Sequence, residues 1–234
     1  MMENNHETID KYPRITLLIP TLNEEENLPR VMPKIPPLVS EVLIVDGHSK
    51  DNTVKVAGEL CPAARVVYQK NKGKGDALKC GIQEARGDIV VILDADDSMN
   101  PEEIPALISA LMNGFDYVKG SRFLDGAGTL DMPKYRRLAD KAFVFLETLL
   151  YGTKYTDATY GYKAFWVRSF KNINLRRDGF ELDAEIDIKA KKAGLKVAEV
   201  PCHEEKRFGG EAKLHSFRDG WRILRTIIGL RFHD

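Results

Sequence analysis

Between residues 14 and 121, short apolar runs rich in β-branched residues alternate with longer amphipathic segments. Strands buried on both faces need such runs and crossover helices need such segments, so the pattern predicts βαβ units forming an α/β fold, a mostly parallel sheet with helices on both faces. Strands are predicted at 15–19, 42–46, 65–68, 89–94 and 117–121. Helices are predicted at 51–60, 75–85 and 101–112, the last opened by Asn100 as N-cap with Pro101 at the first helical position. Pro29, Pro33, Pro36 and Pro37 cut the first connection into short pieces, because proline removes a donor and clashes inside a helix. Past residue 121 the rhythm changes to a Gly-rich stretch at 125–129, an apolar helix at 137–151 and mixed α+β material, a half assigned to the acceptor. At 216–230, Phe217, Trp221, Leu224 and Ile228 recur at helical spacing beside Arg218, Arg222 and Arg225. This basic amphipathic helix suits an anionic membrane surface or docking on the core equally well. The chain therefore divides into a disordered lead-in at 1–13, one domain at 14–215 and a terminal helix at 216–234.

A length of 234 residues with 43% hydrophobic composition fits one large domain. Lys and Arg number 35 against 35 Asp and Glu, so no net field recruits nucleic acid and a charged partner must be met locally. Positive charge nevertheless gathers late in the chain, where Lys206, Arg207, Lys213, Arg218, Arg222, Arg225 and Arg231 face only Glu211 and Asp219. Cys61, Cys80 and Cys202 are odd in number and scattered, which fits neither a disulfide framework nor a thiolate metal site and points to a reducing cytoplasm. The N-terminus lacks a signal-peptide pattern, and no stretch approaches the roughly 18 apolar residues of a span. The expected location is cytoplasmic, peripheral on a membrane or away from one. Oligomeric state leaves no mark in the sequence.

Ligands of open parallel sheets bind beyond the carboxyl ends of the strands, and four such ends carry polar residues here. They are Pro20-Thr21-Leu22-Asn23-Glu24; Asp46 with Ser49 and Asp51; Asp94-Ala95-Asp96-Asp97; and Ser121-Arg122. Asp94 and Asp96 repel each other unless a cation lies between them, and a hard divalent ion such as Mg²⁺ or Mn²⁺ takes oxygen ligands from one or two carboxylates plus phosphates and waters. That arrangement would hold a nucleotide diphosphate. Gly73-Lys74-Gly75 joins a strand to a helix, its glycines allowing close backbone approach and its helix N-terminus able to face an anion. Walker A and Gly-x-Gly-x-x-Gly spacings are both absent, which counts against P-loop and dinucleotide readings. A nucleotidyltransferase would carry a Gly-rich basic loop where Asn23-Glu24-Glu25 stands, and a non-catalytic sugar-nucleotide-binding module would lose the metal carboxylates or the phosphate-binding cations, which this chain keeps.

Together with Val45 to Thr53, Gly120-Ser121-Arg122-Phe123, Thr156-Asp157, Tyr160 to Phe165 and Arg207 to Leu214, these residues resemble the family 2 glycosyltransferases. Within that family they resemble the polyprenyl-phosphate sugar synthases, the branch of the dolichyl-phosphate mannosyltransferases. Ala212 stands where that branch carries a serine, and Gly47 where the family often has a second acidic residue. The resemblance implies a GT-A fold (nucleotide-diphospho-sugar transferase, Rossmann-like) and an inverting hexosyltransferase. It places Pro20, Asn23, Glu24, Asp46, Lys74, Asp94 and Ala95 about the nucleotide sugar, with Asp94, Asp96 and Ser98 on the metal. The implied partners are a GDP- or UDP-sugar and a polyprenyl phosphate at a membrane. An ionised acceptor phosphate needs cations, for which Arg122, Arg207 and Lys213 are candidates because Arg pairs phosphate bidentately and Lys acts as a point charge. A saccharide hydroxyl needs a base instead, from Asp157, Asp183 or Glu185. His203 is expected exposed or satisfied, and Tyr162, Phe165 and Trp166 in the core.

Overall fold

The computed structural model describes residues 12–210 and 213–232. Apart from Tyr12 and Pro13, the expected lead-in lies outside these residues, as does Ala212. Each predicted apolar run becomes a strand: β1 (Ile15–Thr21), β2 (Glu41–Asp46), β3 (Arg65–Tyr68), β4 (Ile89–Ile92) and β5 (Tyr117–Ser121). Between them lie a short α1 (Leu28–Val31), α2 (Thr53–Leu60), α3 (Lys74–Glu84) and α4 (Ile104–Met112). Asn100 caps as expected, its side chain accepting from the Glu102 amide at 3.1 Å, although the first turn, Pro101–Glu103, is a 3₁₀ turn. β4 ends earlier than the predicted residue 94, so the acidic pair belongs to the following loop rather than to the ladder.

The second half adds β6 (Gly128–Thr129), α5 (Lys134–Tyr151), β7 (Lys163–Trp166), α6 (Val167–Phe170), α7 (Leu182–Lys192), β8 (Val197–Pro201), β9 (His203–Glu204) and α8 (Ser216–Gly229). The main sheet runs β3-β2-β1-β4-β7-β5-β8, with every neighbouring pair parallel except those made by β7, which lies antiparallel between β4 and β5. β6 and β9 form a separate parallel pair.

Alternating strand residues divide the core. Ile15, Leu17 and Ile19 face α1, α2 and α4 with Leu28, Ala57, Ile104 and Leu107, whereas Leu18, Leu43 and Val45 face α3 and α7 with Leu78, Leu182 and Ile186. A further layer covers α7: Ile223 and Ile227 of α8 and Phe143 and Leu146 of α5 pack on Ala184 and Ile188. α7 is thus enclosed on both sides, and its polar residues are buried with it. Asp187 pairs with the buried lysines of two strands, in direct contact with Lys119 and 3.3 Å from Lys163, and accepts a hydrogen bond from the Tyr117 hydroxyl. Glu147 of α5 is fully buried, and neither of its carboxylate oxygens has a hydrogen-bond partner among the described residues. Burial, reinforced by the charge of Asp187 and opposed by Lys119 and Lys163, pushes Glu147 up to about 8.

Folded Glu147 holds its proton more tightly than the unfolded chain does, so stability is highest below the ordinary value of 4.5 and is lost as pH rises toward about 8. Glu147→Gln is expected to flatten that decline in urea unfolding measured across this window, and an unchanged slope would contradict a buried neutral acid. Asp187→Ala leaves Lys119 buried without its carboxylate and Lys163 with only the contact to Asp183, and should lower stability by about 3–5 kcal/mol. A loss below about 1 kcal/mol in the same unfolding measurement would show that the network contributes little.

Candidate active site

The loops after β1, β4 and β5 border two adjoining cavities, of about 470 and 280 Å³. Lys74, Asp94, Asp96, Phe180, Arg207 and Leu214 line both, so the acidic pair stands at their junction. Each carboxylate meets its own cation: Asp94 lies 2.7 Å from the Lys74 ammonium, and Asp96 2.6 Å from the Arg207 guanidinium. Asp96 is further oriented by Ser98, whose amide and hydroxyl donate to it at 3.1 and 2.6 Å. Burial and the charge of Asp96 raise Asp94 above the usual carboxylate range despite the opposing Lys74. Burial alone would lower Lys74, but Asp94 and Asp183 override it and hold the ammonium charged. Asp97 turns away, at φ 64°, to Arg30 and Lys34.

The Gly73-Lys74-Gly75 turn owes its glycines to the chain itself. A Cβ on Gly73, where φ is +108°, would lie 2.2 Å from the Asp178 carbonyl oxygen, and one on Gly75 2.7 Å from that of Arg177. The Asp76 amide donates to Asp178 at 3.2 Å. The close approach expected here is therefore made by residues 177–179, and this donor of the helix N-terminus is already engaged.

Pro20, Glu24 and Ala95 line the smaller cavity, and Lys213 reaches across to the Glu24 carboxylate and the Leu22 carbonyl. Asp46 and Asn23 line neither cavity. Asp46 is 1% exposed and accepts from the hydroxyls of Thr21 and Ser49 at 3.0 and 2.6 Å and from the Ser49 amide at 2.8 Å. Asn23, at φ 53°, accepts from the Lys50 amide and donates its own amide to Ser49. Both knit the loop after β1 to the loop after β2. Gln69 occupies the wall beside Gly47, where a Cβ would stand 3.3 Å from its Oε1.

The larger cavity holds Arg122, Asp140, Asp183, Glu204 and Arg136. Arg122 donates bidentately to Asp157 at 2.7 and 2.8 Å, to Thr159 at 3.0 Å and to Glu204 at 2.9 Å. Asp157 is fully buried outside both cavities, and although burial alone would raise it, the Arg122 charge holds it below its usual range. Asp140, pushed up to about 6 by burial and by Asp157, accepts from the Thr159 hydroxyl at 2.7 Å. Asp183 sits in this wall with its Oδ1 lacking a hydrogen-bond partner among the described residues, though Lys163 is 3.5 Å away. Glu185 instead accepts from the amides of Arg176 and Arg177 and lines neither cavity. His203 is 61% exposed on its side chain, 3.7 Å from Glu103. Tyr162 and Phe165 are core residues, whereas Trp166 is half-buried under Arg168.

Arg136 was not singled out by the sequence, where it reads as one of two arginines opening an apolar helix. Its Nε donates to the Ser216 hydroxyl at 2.9 Å, joining the start of α5 to that of α8, and no carboxylate pairs with it among the described residues. One side of α8 docks on α5 and α7; its other side leaves Phe217 92% and Trp221 61% exposed, and α5 exposes Leu138, Phe145 and Leu149. No described helix is long and apolar enough to cross a membrane.

Two carboxylates provide an all-oxygen donor set, and among the described residues no group of three His, Cys, Asp or Glu forms a closed metal shell. Such a set fits a hard divalent cation that completes its coordination with phosphate and water oxygens.

The family model for glycosyl transferase family 2 matches residues 16–174. The dolichol-phosphate mannosyltransferase of Pyrococcus furiosus is 34% identical over 86% of this chain, which spans 59% of that relative's length. The dolichyl-phosphate hexose transferase of Haloferax volcanii is 31% identical, with 92% of each chain covered. The glucosyl-3-phosphoglycerate synthase of Mycobacterium tuberculosis, solved with Mn²⁺, uridine diphosphate and glucosyl-3-phosphoglycerate, superposes with a TM-score of 0.74 at 23% identity, covering 95% of this chain and 81% of that one. That likeness shows the GT-A fold, with the mostly parallel sheet predicted from the strand pattern. The sequence match, the sheet and the acidic junction converge, and the chain belongs to glycosyl transferase family 2 as a glycosyltransferase.

Proposed function

We propose that the enzyme moves a hexosyl group from a nucleoside diphosphate sugar to a polyprenyl phosphate at a membrane surface, with inversion at the anomeric carbon. The observation that carries this reading is the larger cavity: it meets the acidic junction at one end and is bordered by two helices with outward apolar side chains, with Arg136 at the start of one of them. A phosphate on an apolar tail matches that combination of a guanidinium and a greasy rim. The lipid phosphates in the names of the P. furiosus and H. volcanii relatives support it.

In this reading the smaller cavity takes the nucleotide, against Pro20, Glu24 and Ala95, while Asn23 and Asp46 hold the loops that shape it. Asp94 and Asp96, with Ser98 orienting the latter, would hold Mg²⁺ or Mn²⁺. That ion, when bound, neutralises charge developing on the leaving diphosphate. An oxygen of the acceptor phosphate attacks the anomeric carbon while the bond from that carbon to the nucleoside diphosphate breaks, its electron pair leaving with the diphosphate. The second pKa of a phosphate monoester is about 6, so the nucleophile is ionised near neutrality and needs no strong base. Arg207 and Lys74 at the junction, Lys213 on the donor side and Arg136 on the acceptor side supply positive charge. Asp157 acts by fixing Arg122, which lines the acceptor cavity with its Nη1 donating to Glu204. Three unpaired cysteines support a location on the cytoplasmic face. Transfer to a saccharide hydroxyl is the second reading, favoured by Asp183 Oδ1, which has no hydrogen-bond partner among the described residues.

Asp96→Ala is expected to lower kcat at least about a hundredfold with an unchanged melting temperature, in keeping with loss of charge stabilisation at a leaving group. Wild-type turnover with unchanged metal dependence would contradict the metal assignment. Arg136→Ala should raise the KM for polyprenyl phosphate by about tenfold or more while leaving the donor KM within about twofold, since a charged hydrogen bond is worth roughly 1.5–3 kcal/mol. A donor-side loss instead would remove Arg136 from the acceptor site.

A further inference from the structure

α8 borders both cavities with different sides. Phe217, Gly220 and Ile223 line the larger one, whereas Arg218, Asp219 and Arg222 line the smaller. Asp219 is 1% exposed and accepts from the His215 amide at 2.8 Å, which closes the first turn of the helix. The same carboxylate lies 3.2 Å from Arg218 Nε and 3.6 Å from Arg222 Nη1, although the two arginine side chains are 58% and 51% exposed. Every other cation on this cavity wall faces a carboxylate of its own: Lys74 faces Asp94, Lys213 faces Glu24 and Arg207 faces Asp96. Arg218 and Arg222 share one. The surplus positive charge of the smaller cavity is therefore carried by α8, on two guanidinium groups tethered to a buried anion.

We propose that Arg218 and Arg222 grip the diphosphate of the donor nucleotide, making α8 a wall of the donor site. The proposal rests on reading the smaller cavity as that site. A diphosphate presents several anionic oxygens, and the planar fork of arginine pairs two of them at once. Tethering by Asp219 restricts both side chains before the ligand arrives, which reduces the ordering entropy lost on binding. The basic side of this helix thereby has a ligand of its own, separate from the exposed apolar side that carries Phe217 and Trp221.

The test is calorimetric titration of GDP and UDP, and of GMP and UMP, in Mg²⁺, into the wild type, Arg218→Gln/Arg222→Gln and Arg218→Lys/Arg222→Lys. Melting temperatures are measured alongside, and the single Arg222→Gln replaces the double variant if the latter fails to fold. The expected result is a diphosphate Kd at least tenfold weaker in the glutamine variant and partly restored by lysine, with monophosphate affinity changed less than threefold. Diphosphate affinity within twofold of wild type overturns the proposal while leaving the donor cavity in place. An equal loss for mono- and diphosphates also overturns it, because the contact would then be to base or ribose. A wild type that binds none of the four nucleotides removes the donor cavity itself, and this role with it.

Discussion

Two carboxylates separated by one alanine cannot share a partly buried site without cations, and the arrangement of those cations organises the active site. Asp94 is matched by Lys74 and Asp96 by Arg207. Lys74 opens α3, far upstream, and is fixed there by a glycine turn packed against residues 177–179. Arg207 follows β9, near the end of the described chain. Both halves of the protein thus contribute a counter-charge to one anionic point, and the two cavities meet where they do so. Burial, with the charge of Asp96 added to it, raises the affinity of Asp94 for a proton, and a divalent cation would relieve the repulsion between the two carboxylates.

Behind this junction lies a second polar system, buried at its core end and reaching the cavity wall at Asp183. Lys119 and Lys163 project from adjacent strands to Asp187 of α7, and Lys163 continues to Asp183, which also lies 4.0 Å from Lys74. A chain of charges therefore runs from the core to the cavity wall. Such a network is costly to bury unless every partner is held in place, and the outer layer of α5 and α8 holds it by covering α7. The same layer brings Arg136 and the exposed apolar side chains to the mouth of the larger cavity. Packing of the core and construction of the acceptor side are consequences of one helical layer.

Strands β1, β2 and β4 were legible because each is a compact apolar run buried mostly on both faces, and β3 and β5 because each holds a shorter β-branched or aromatic run, Val66-Val67 and Tyr117-Val118. β7 escaped notice because its first residue is a lysine, buried only by virtue of an aspartate on a helix twenty-odd residues later, and local patterning cannot report so distant a pairing. α7 reads as a polar segment for the same reason. Motif residues such as Pro20, Glu24, Asp94, Asp96 and Arg207 do assemble around the junction, whereas Asn23 and Asp46 shape the loops beside it. Gly73 and Gly75 announced a close approach correctly but gave no sign that the approaching group would be the chain itself. Arg136 was indistinguishable from a solvated basic residue until α8 was placed against it.

The central claim is that a lipid phosphate accepts the sugar. Its most direct measurement is transfer from radiolabelled GDP- and UDP-sugars, in Mn²⁺ or in EDTA, to polyprenyl phosphate and to a soluble saccharide. The account predicts metal-dependent label in the lipid fraction from one of these donors. Label confined to the saccharide would contradict it and move the acceptor to a hydroxyl, for which Asp183 would have to serve as base.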